Sequence, residues 1–313
     1  MAYRFKLGEG IEAGVRRIAA GEIERAIASL GAKNGDEAVS VHDARKSIKR
    51  LRALLRLVRP ALGEAVFRRE NDSFRETSAL LAHTRDTQIL LETVAKLDAR
   101  YKDTPHASLA KLHDALAAAQ ATPDRAAETA ARDAAIQRLE KSKSRVSRLR
   151  LSSEGFEPVR DGLEQSFRKA RRAFERSYRQ PSDETVHEWR KGVQQHWRHM
   201  ALLRRAWPEL ADARHNLARR LSQMLGDDHD LAILVQRLAT TPAKELAAKD
   251  RRVITKLARQ RQDELRALAK PYGERLHAEG PRGLARRFEL YWAAATALRD
   301  TRTDGDAGEA DAG

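Results

Sequence analysis

Residues 40–60 read SVHDARKSIKRLRALLRLVRP, and the motif inside them returns: VHDARKSIKR at 41–50 recurs as VHEWRKGVQQ at 186–195. The first stretch holds seven Lys or Arg in 21 residues. Wound as a helix at about 100° per residue, it separates into two faces. His42, Arg45, Lys46, Lys49, Arg52 and Arg56 fall within one sector roughly 120° wide, opposite Ala44, Ile48, Leu51, Leu54, Leu55 and Val58. A solvated helix face ordinarily mixes signs, because like charges one turn apart repel. Here Arg45/Lys49, Arg52/Arg56 and Lys46/Lys49 are all like-charged neighbours. A face built this way calls for an anion to offset the repulsion.

The second copy keeps the plan. His187, Arg190, Lys191 and Arg198 share one side, with Val193, Met200 and Leu203 behind them. Gln194 stands where Lys49 does, and Trp197 where Arg52 does, so this face is less charged. The preceding segment adds FRKARR at 167–172, bringing Arg168, Lys169, Arg171 and Arg172; in the first half Arg16 and Arg17 are the weaker counterpart. A further pair of blocks, HTRDTQILLETVAKL from 83 and DDHDLAILVQRL from 227, matches at an offset of 144, against 145 for the first pair. Two blocks at nearly one spacing point to an internal duplication, with halves at 8–150 and 155–300.

Composition agrees with a helical chain. Ala, Leu, Arg and Glu dominate the 313 residues, aromatics make up 5%, and no β-branched run bounded by turns appears. Periodicity predicts helices near 9–30, 36–59, 62–101, 105–120, 124–150, 156–179, 183–206, 208–225, 228–239, 243–270 and 281–300. Asp36 reads as an N-cap, and Thr104-Pro105, Thr122-Pro123, Gln180-Pro181-Ser182-Asp183 and Thr241-Pro242 as helix starts. The segment 301–313 reads as a disordered acidic tail.

The net charge of +15 becomes +19 without the four acids of the last ten residues. That balance points to a polyanionic partner: nucleic acid, an anionic membrane face or a phosphate polymer. There is no cysteine, hence no disulfide or thiolate metal site. No signal-peptide pattern or long apolar run is present, so the expected location is the cytoplasm.

Gly226-Asp227-Asp228-His229-Asp230 invites comparison with metal-dependent HD-type phosphohydrolases, which need several His and Asp on one metal. The duplication argues against this, since it aligns His229 with Arg85, which is no metal ligand. What persists is an acid, Asp86 and Asp230, read as structural. No P-loop, nucleophile elbow or paired catalytic carboxylates appear, so no catalytic residue, metal or cofactor is assigned and the chain reads as a binding protein. Nucleic acid is the main competing partner, but single-strand binders add aromatic stacking platforms, and the basic faces at 42–56 and 168–172 contain none.

The doubled HxxRK motif, each copy followed by an RD or HD block and an apolar run, together with FRKARRAF at 167–174, resembles the CHAD family, the conserved-histidine α-helical domain. The resemblance covers nearly all of 5–300. It implies an all-α fold of two four-helix-bundle-like halves related by a pseudo-twofold, enclosing a basic cavity that binds inorganic polyphosphate, and a location that includes polyphosphate granules. Members occur alone or fused to a CYTH-type triphosphatase; no such acidic domain precedes this segment, so a stand-alone domain over 1–300 is expected. By matching position, His42, Arg45, Lys46, Lys49 and Arg52 would line one wall and His187, Arg190 and Lys191 the other, with Arg168, Lys169, Arg171 and Arg172 alongside. Gln194 departs from the family's lysine and puts the symmetry of the two walls in question.

Overall fold

The apolar stripe read from residues 44–58 is buried throughout: Ala44, Ile48, Leu51, Leu54, Leu55 and Val58 are each at most 1% exposed. The opposite face of the same helix stays half-buried or exposed, so the amphipathic pattern sets the helix's orientation. The computed structural model describes residues 3–32, 37–81, 86–102, 106–118, 125–243 and 245–310. Among the described residues there are twelve helices and no strand, and the fold is all-α.

In chain order these are α1 (Ile11–Gly31), α2 (Glu37–Leu57), α3 (Arg59–Leu62), α4 (Glu64–Leu80), α5 (Asp86–Arg100), α6 (Ala107–Ala118), α7 (Arg125–Val146), α8 (Glu157–Arg179), α9 (Asp183–Leu202), α10 (Pro208–Thr240), α11 (Ala248–His277) and α12 (Pro281–Ala310). Helices α1, α2, α4 and α7 pack together; α8, α9, α10 and α11 form a consecutive second layer, and α2 meets both α8 and α9. The buried clusters run across residue 150. Leu90, Val94, Leu109 and Leu112 of α5 and α6 share a core with Leu234, Leu238, Ile254 and Leu257 of α10 and α11. Val159, Leu163 and Phe167 of α8, with Phe288 of α12, join the core built on α1 and α2. Each sequence half therefore sends helices into the other's core, and the two are not separate folding units.

Several helix ends differ from the periodicity reading for identifiable reasons. The expected break at Gly226 is absent and α10 runs through to Thr240. Asp228 there is buried and ion-paired to Arg266, so its carboxylate does not compete for the backbone. The helix expected to stop at 270 instead continues past Pro271. A Cβ at Gly273 would lie 2.6 Å from both Phe174 and Trp189, so this glycine lets the turn after the proline lie against the aromatic core. The single helix expected over 62–101 is two, α4 and α5. The helix expected from 243 starts at Ala248, after a turn in which Glu245 and Leu246 donate to the Pro242 carbonyl. The helix start expected at Gln180-Pro181-Ser182-Asp183 is present, with Ser182 as the N-cap: it accepts from the Thr185 N–H, and its own N–H donates back to the Thr185 hydroxyl. Asp36, Thr104-Pro105 and Thr122-Pro123 lie outside the described residues. The backbone of α12 is helical to Ala310, beyond the 301 boundary expected from composition, because extending an existing helix costs less than nucleating one.

The joint between α2 and α8 is tight. A Cβ at Gly162 would sit 1.6 Å from the Leu57 carbonyl oxygen, so the two backbones touch. Gly162→Ala must separate them, and the expected loss is about 3 kcal/mol of unfolding free energy, read from the urea midpoint.

His199 ties three helices together. Its Nε2 lies 3.0 Å from the Ala53 carbonyl of α2, and its Nδ1 lies 3.3 Å from the Ser166 hydroxyl of α8. That geometry suits the neutral ring, donating through Nε2 and accepting at Nδ1. Burial holds its pKa down to about 4, with Arg56 and Arg198 adding to the effect against the Ala53 bond. His277, packed between Phe167 and Phe174, is held at about 3 by burial, Arg214 and Arg171. Both are neutral when folded but protonate near pH 6.5 when unfolded. Their contribution is full above that value and falls as pH drops from about 6.5 toward 4 and 3. Lowering pH from 7.5 to 5 is expected to cost roughly 2 kcal/mol per histidine, measurable by urea unfolding at the two pH values.

Candidate functional site

Where α2 crosses α9, arginines from the two repeated motifs come together. Arg52 and Arg56 project from α2; Arg190 and Arg198 project from α9. Arg198 is 8% exposed, its Nη1 donates to the Gln194 carbonyl at 2.7 Å, and its guanidinium lies 4.3 Å from the Trp197 ring centroid. Arg52 donates to the Asn71 side chain at 3.1 Å.

Burial acts on all four, and neighbouring arginines add repulsion at Arg52, Arg56 and Arg198. Arg56 is held down to about 10 by burial, then by Arg52, Arg198 and Arg59. Arg198 is likewise held to about 10 by burial; Arg50 and Arg190 push the same way and Tyr3 opposes them. Arg52 is lowered by burial and Arg75, with Asp72 opposing. Arg190 is lowered by burial, although Asp230, Asp227 and Asp228 favour its charge. Electrostatic coupling links them in order across the α2–α9 contact, and we call them a row in that sense: Arg52 acts on Arg56, Arg198 on Arg56, and Arg190 on Arg198. The row continues to His187, whose pKa is lowered by burial, Lys191 and Arg190. The His187 ring stacks on His229 of α10 at 4.1 Å between centroids. His229 is held at about 4 by burial, His187 and Arg190.

None of Arg52, Arg56, Arg190 and Arg198 has a carboxylate within ion-pair distance among the described residues. Buried donors at Arg190 Nε, Arg198 Nε and His187 Nδ1 also have no hydrogen-bond partner there. Elsewhere buried charge is paired: Glu70 takes both Arg69 and Arg145, and Asp228 takes Arg266. A cation withdrawn from water without a counterion is costly, and the usual relief is pairing.

Other basic residues singled out from sequence are occupied differently. Arg17 donates twice to Glu9, at 2.6 Å each, and once to the Arg4 carbonyl. Arg16 pairs with Glu12 and donates to the Leu149 carbonyl at 2.7 Å. Arg168 pairs with Glu164, Arg171 with Glu175 at 3.2 Å, and Lys191 with Glu188. Arg45 donates to the Leu81 carbonyl at 2.7 Å, satisfying the end of α4. His42, Lys46 and Lys49 are exposed on α2, and Lys46 lies 3.9 Å from Asp43. Lys169 and Arg172 line a cleft of about 230 Å³ between α8 and α9, together with Arg176, Glu184 and Glu188.

The Gly226–Asp230 stretch divides its side chains among separate tasks. Asp227 pairs with Lys96 at 2.8 Å, Asp228 with Arg266 at 2.7 Å, and His229 stacks on His187. Among the described residues no three His, Asp or Glu side chains converge as metal ligands. Asp230 biases both Arg190 and Lys96 toward the charged form, while the side chain of Asp86 lies outside the described residues. The acid that anchors the scaffold, Asp228, was not legible beforehand, since its partner Arg266 is 38 residues distant.

The helices that carry these motifs define an all-α scaffold with a set of arginines where α2 meets α9. The CHAD domain family model matches residues 18–239, and the chain belongs to that family. No curated protein matches the sequence. Among the described residues no helix is long and apolar enough to cross a membrane.

Proposed function

We propose that the chain binds inorganic polyphosphate along the row formed by Arg52, Arg56, Arg198 and Arg190, with His187 and His229 at its α10 end, and that it does so without turning the polymer over. The observation that carries this reading is the set of four half-buried or buried arginines with no carboxylate partner. A phosphate chain supplies a charge every few ångströms and asks for no base readout, which suits cations arranged in a row. The family's link to polyphosphate supports the same partner. Each charge-assisted contact contributes about 1.5–3 kcal/mol before ordering costs, so a few shared contacts suffice for tight binding.

Binding should fall steeply with salt. Removing one arginine of the row should also reduce the slope of log K against log salt by about one. Isothermal titration with long-chain polyphosphate, pyrophosphate, RNA and duplex DNA at fixed salt tests the partner class. Long-chain polyphosphate is expected to bind tightest; a preference for nucleic acid would reassign the row to nucleic-acid backbone contacts. Phosphate release from polyphosphate with divalent metal present would show turnover and overturn the binding-only reading. Recruitment to polyphosphate granules is the cellular counterpart of this proposal.

A further inference from the structure

A second basic site lies outside the α2–α9 row. Between α10 and α11 is a groove of about 710 Å³, large enough for a small organic ligand. Arg214, Arg220 and Arg275 line it, with no acidic residue among the lining side chains. The rest of the lining is different in kind: Leu217, Pro271 and Tyr272 contribute apolar and aromatic surface.

The three cations are differently placed. Arg214 is fixed: it donates to the Leu276 carbonyl at 3.2 Å and to His196 Nε2 at 3.4 Å. Its nearest carboxylate, Glu279 at 3.6 Å, is shared with Arg287. Burial holds the Arg214 pKa down to about 10 despite Glu279. Arg220 and Arg275 are exposed and have no ion pair among the described residues. The Arg220 guanidinium lies 5.2 Å from the Tyr272 ring centroid, so a cation and an aromatic ring already meet at the groove.

We infer that this groove binds a small organic phosphate of nucleotide size, its phosphates on the three arginines and its flat body on Tyr272 and Pro271. An inorganic phosphate chain would satisfy the arginines but leave the apolar lining without a partner. A nucleoside would use the apolar lining but leave Arg220 and Arg275 unopposed. A nucleotide uses both, and aromatic stacking with guanidinium contacts is a combination that recurs in recognising phosphorylated bases. This inference is independent of the polyphosphate reading, because it rests on other residues and other helices.

The test is calorimetric titration of the full chain, unaltered and as Arg56→Gln/Arg190→Gln, with ATP, tripolyphosphate and adenosine in the absence of divalent metal. The ATP–tripolyphosphate comparison is read in the variant, so that the α2–α9 row does not contribute. ATP is expected to bind with one-to-one stoichiometry, at least tenfold tighter than tripolyphosphate or adenosine. The double variant Arg220→Glu/Arg275→Glu changes exposed residues and is checked for unchanged thermal unfolding. It should weaken ATP at least thirtyfold while leaving long-chain polyphosphate affinity within about threefold. Tyr272→Leu should weaken ATP but not tripolyphosphate. Conversely, Arg56→Gln/Arg190→Gln should leave ATP binding intact. Absence of ATP binding, ATP no tighter than tripolyphosphate, or ATP binding lost through the α2–α9 variant and retained in the groove variant would each overturn the inference. Failure of polyphosphate binding alone would leave it standing.

Discussion

Changing Arg56 and Arg190 together to glutamine is expected to weaken long-chain polyphosphate binding about a hundredfold or more while leaving the fold about as stable as before. The first half follows from losing two charge-assisted contacts, worth about 1.5–3 kcal/mol each. The second follows from what these side chains lack. Arg56 is pushed down to about 10 by burial and by three neighbouring arginines, with no carboxylate to compensate. Arg190 is also lowered by burial, and its Nε has no hydrogen-bond partner among the described residues. Replacing Arg56 relieves repulsion, and replacing Arg190 removes a half-buried cation at the cost of its attraction to Asp227, Asp228 and Asp230. Unfolding free energy should therefore change by no more than roughly 1 kcal/mol. Charge kept for the sake of a ligand characteristically shows this separation of stability from binding. Arginines serving the scaffold would show the reverse, a less stable protein with undiminished affinity. Chemical denaturation and calorimetric titration of the same preparations separate the two.

Asp228→Ala is expected to be among the most damaging single changes, costing about 3–5 kcal/mol. Asp228 is 1% exposed and takes Arg266 Nε at 2.7 Å and Nη2 at 3.3 Å. Burial pushes its pKa up, and Arg266 is what opposes that. The same Arg266 donates to Asp183 at 2.7 Å, and Gln262 bonds both Asp183 and the Asp228 carbonyl. Removing the carboxylate leaves Arg266 with one acid instead of two, inside a joint that fixes α9, α10 and α11. Urea denaturation should show the full loss. A double change, Asp228→Leu with Arg266→Met, should recover much of it, because an apolar pair avoids the stranded charge. Were Asp228 a hydrolytic ligand instead, the alanine variant would keep its stability.

Much of this arrangement was legible in residues 40–60 and their repeat. The period of α2 identified the buried stripe, and the duplicated motif identified α9 as its counterpart. What the motif could not show is which cations are spoken for. Arg56 and Arg171 look alike in sequence, yet one faces other arginines and the other faces a glutamate. Part of that difference was readable: Glu12–Arg16, Glu164–Arg168 and Arg171–Glu175 are all spaced by one helical turn. Arg17 is harder, because Glu9 precedes the helix by two residues and reaches back across two turns. Asp228 and His229 are harder still, since Arg266 and His187 come from other helices and meet them only after packing. The sharing of cores between α5, α6, α10 and α11 was not legible for a related reason: hydrophobic periodicity says which face is buried, not which core buries it.

The most direct test of the central claim removes equal charge from two places. Arg56→Gln/Arg190→Gln takes two cations from the unpartnered row, while Arg168→Gln/Arg171→Gln takes two that already face glutamates. Long-chain polyphosphate titrated into both variants and the unaltered chain, at one near-physiological salt concentration, compares location at constant net charge. The expected result is at least a hundredfold loss for the first variant and less than about fivefold for the second. Equal losses from the two would mean that overall charge, and not the buried arginine row, holds the polymer.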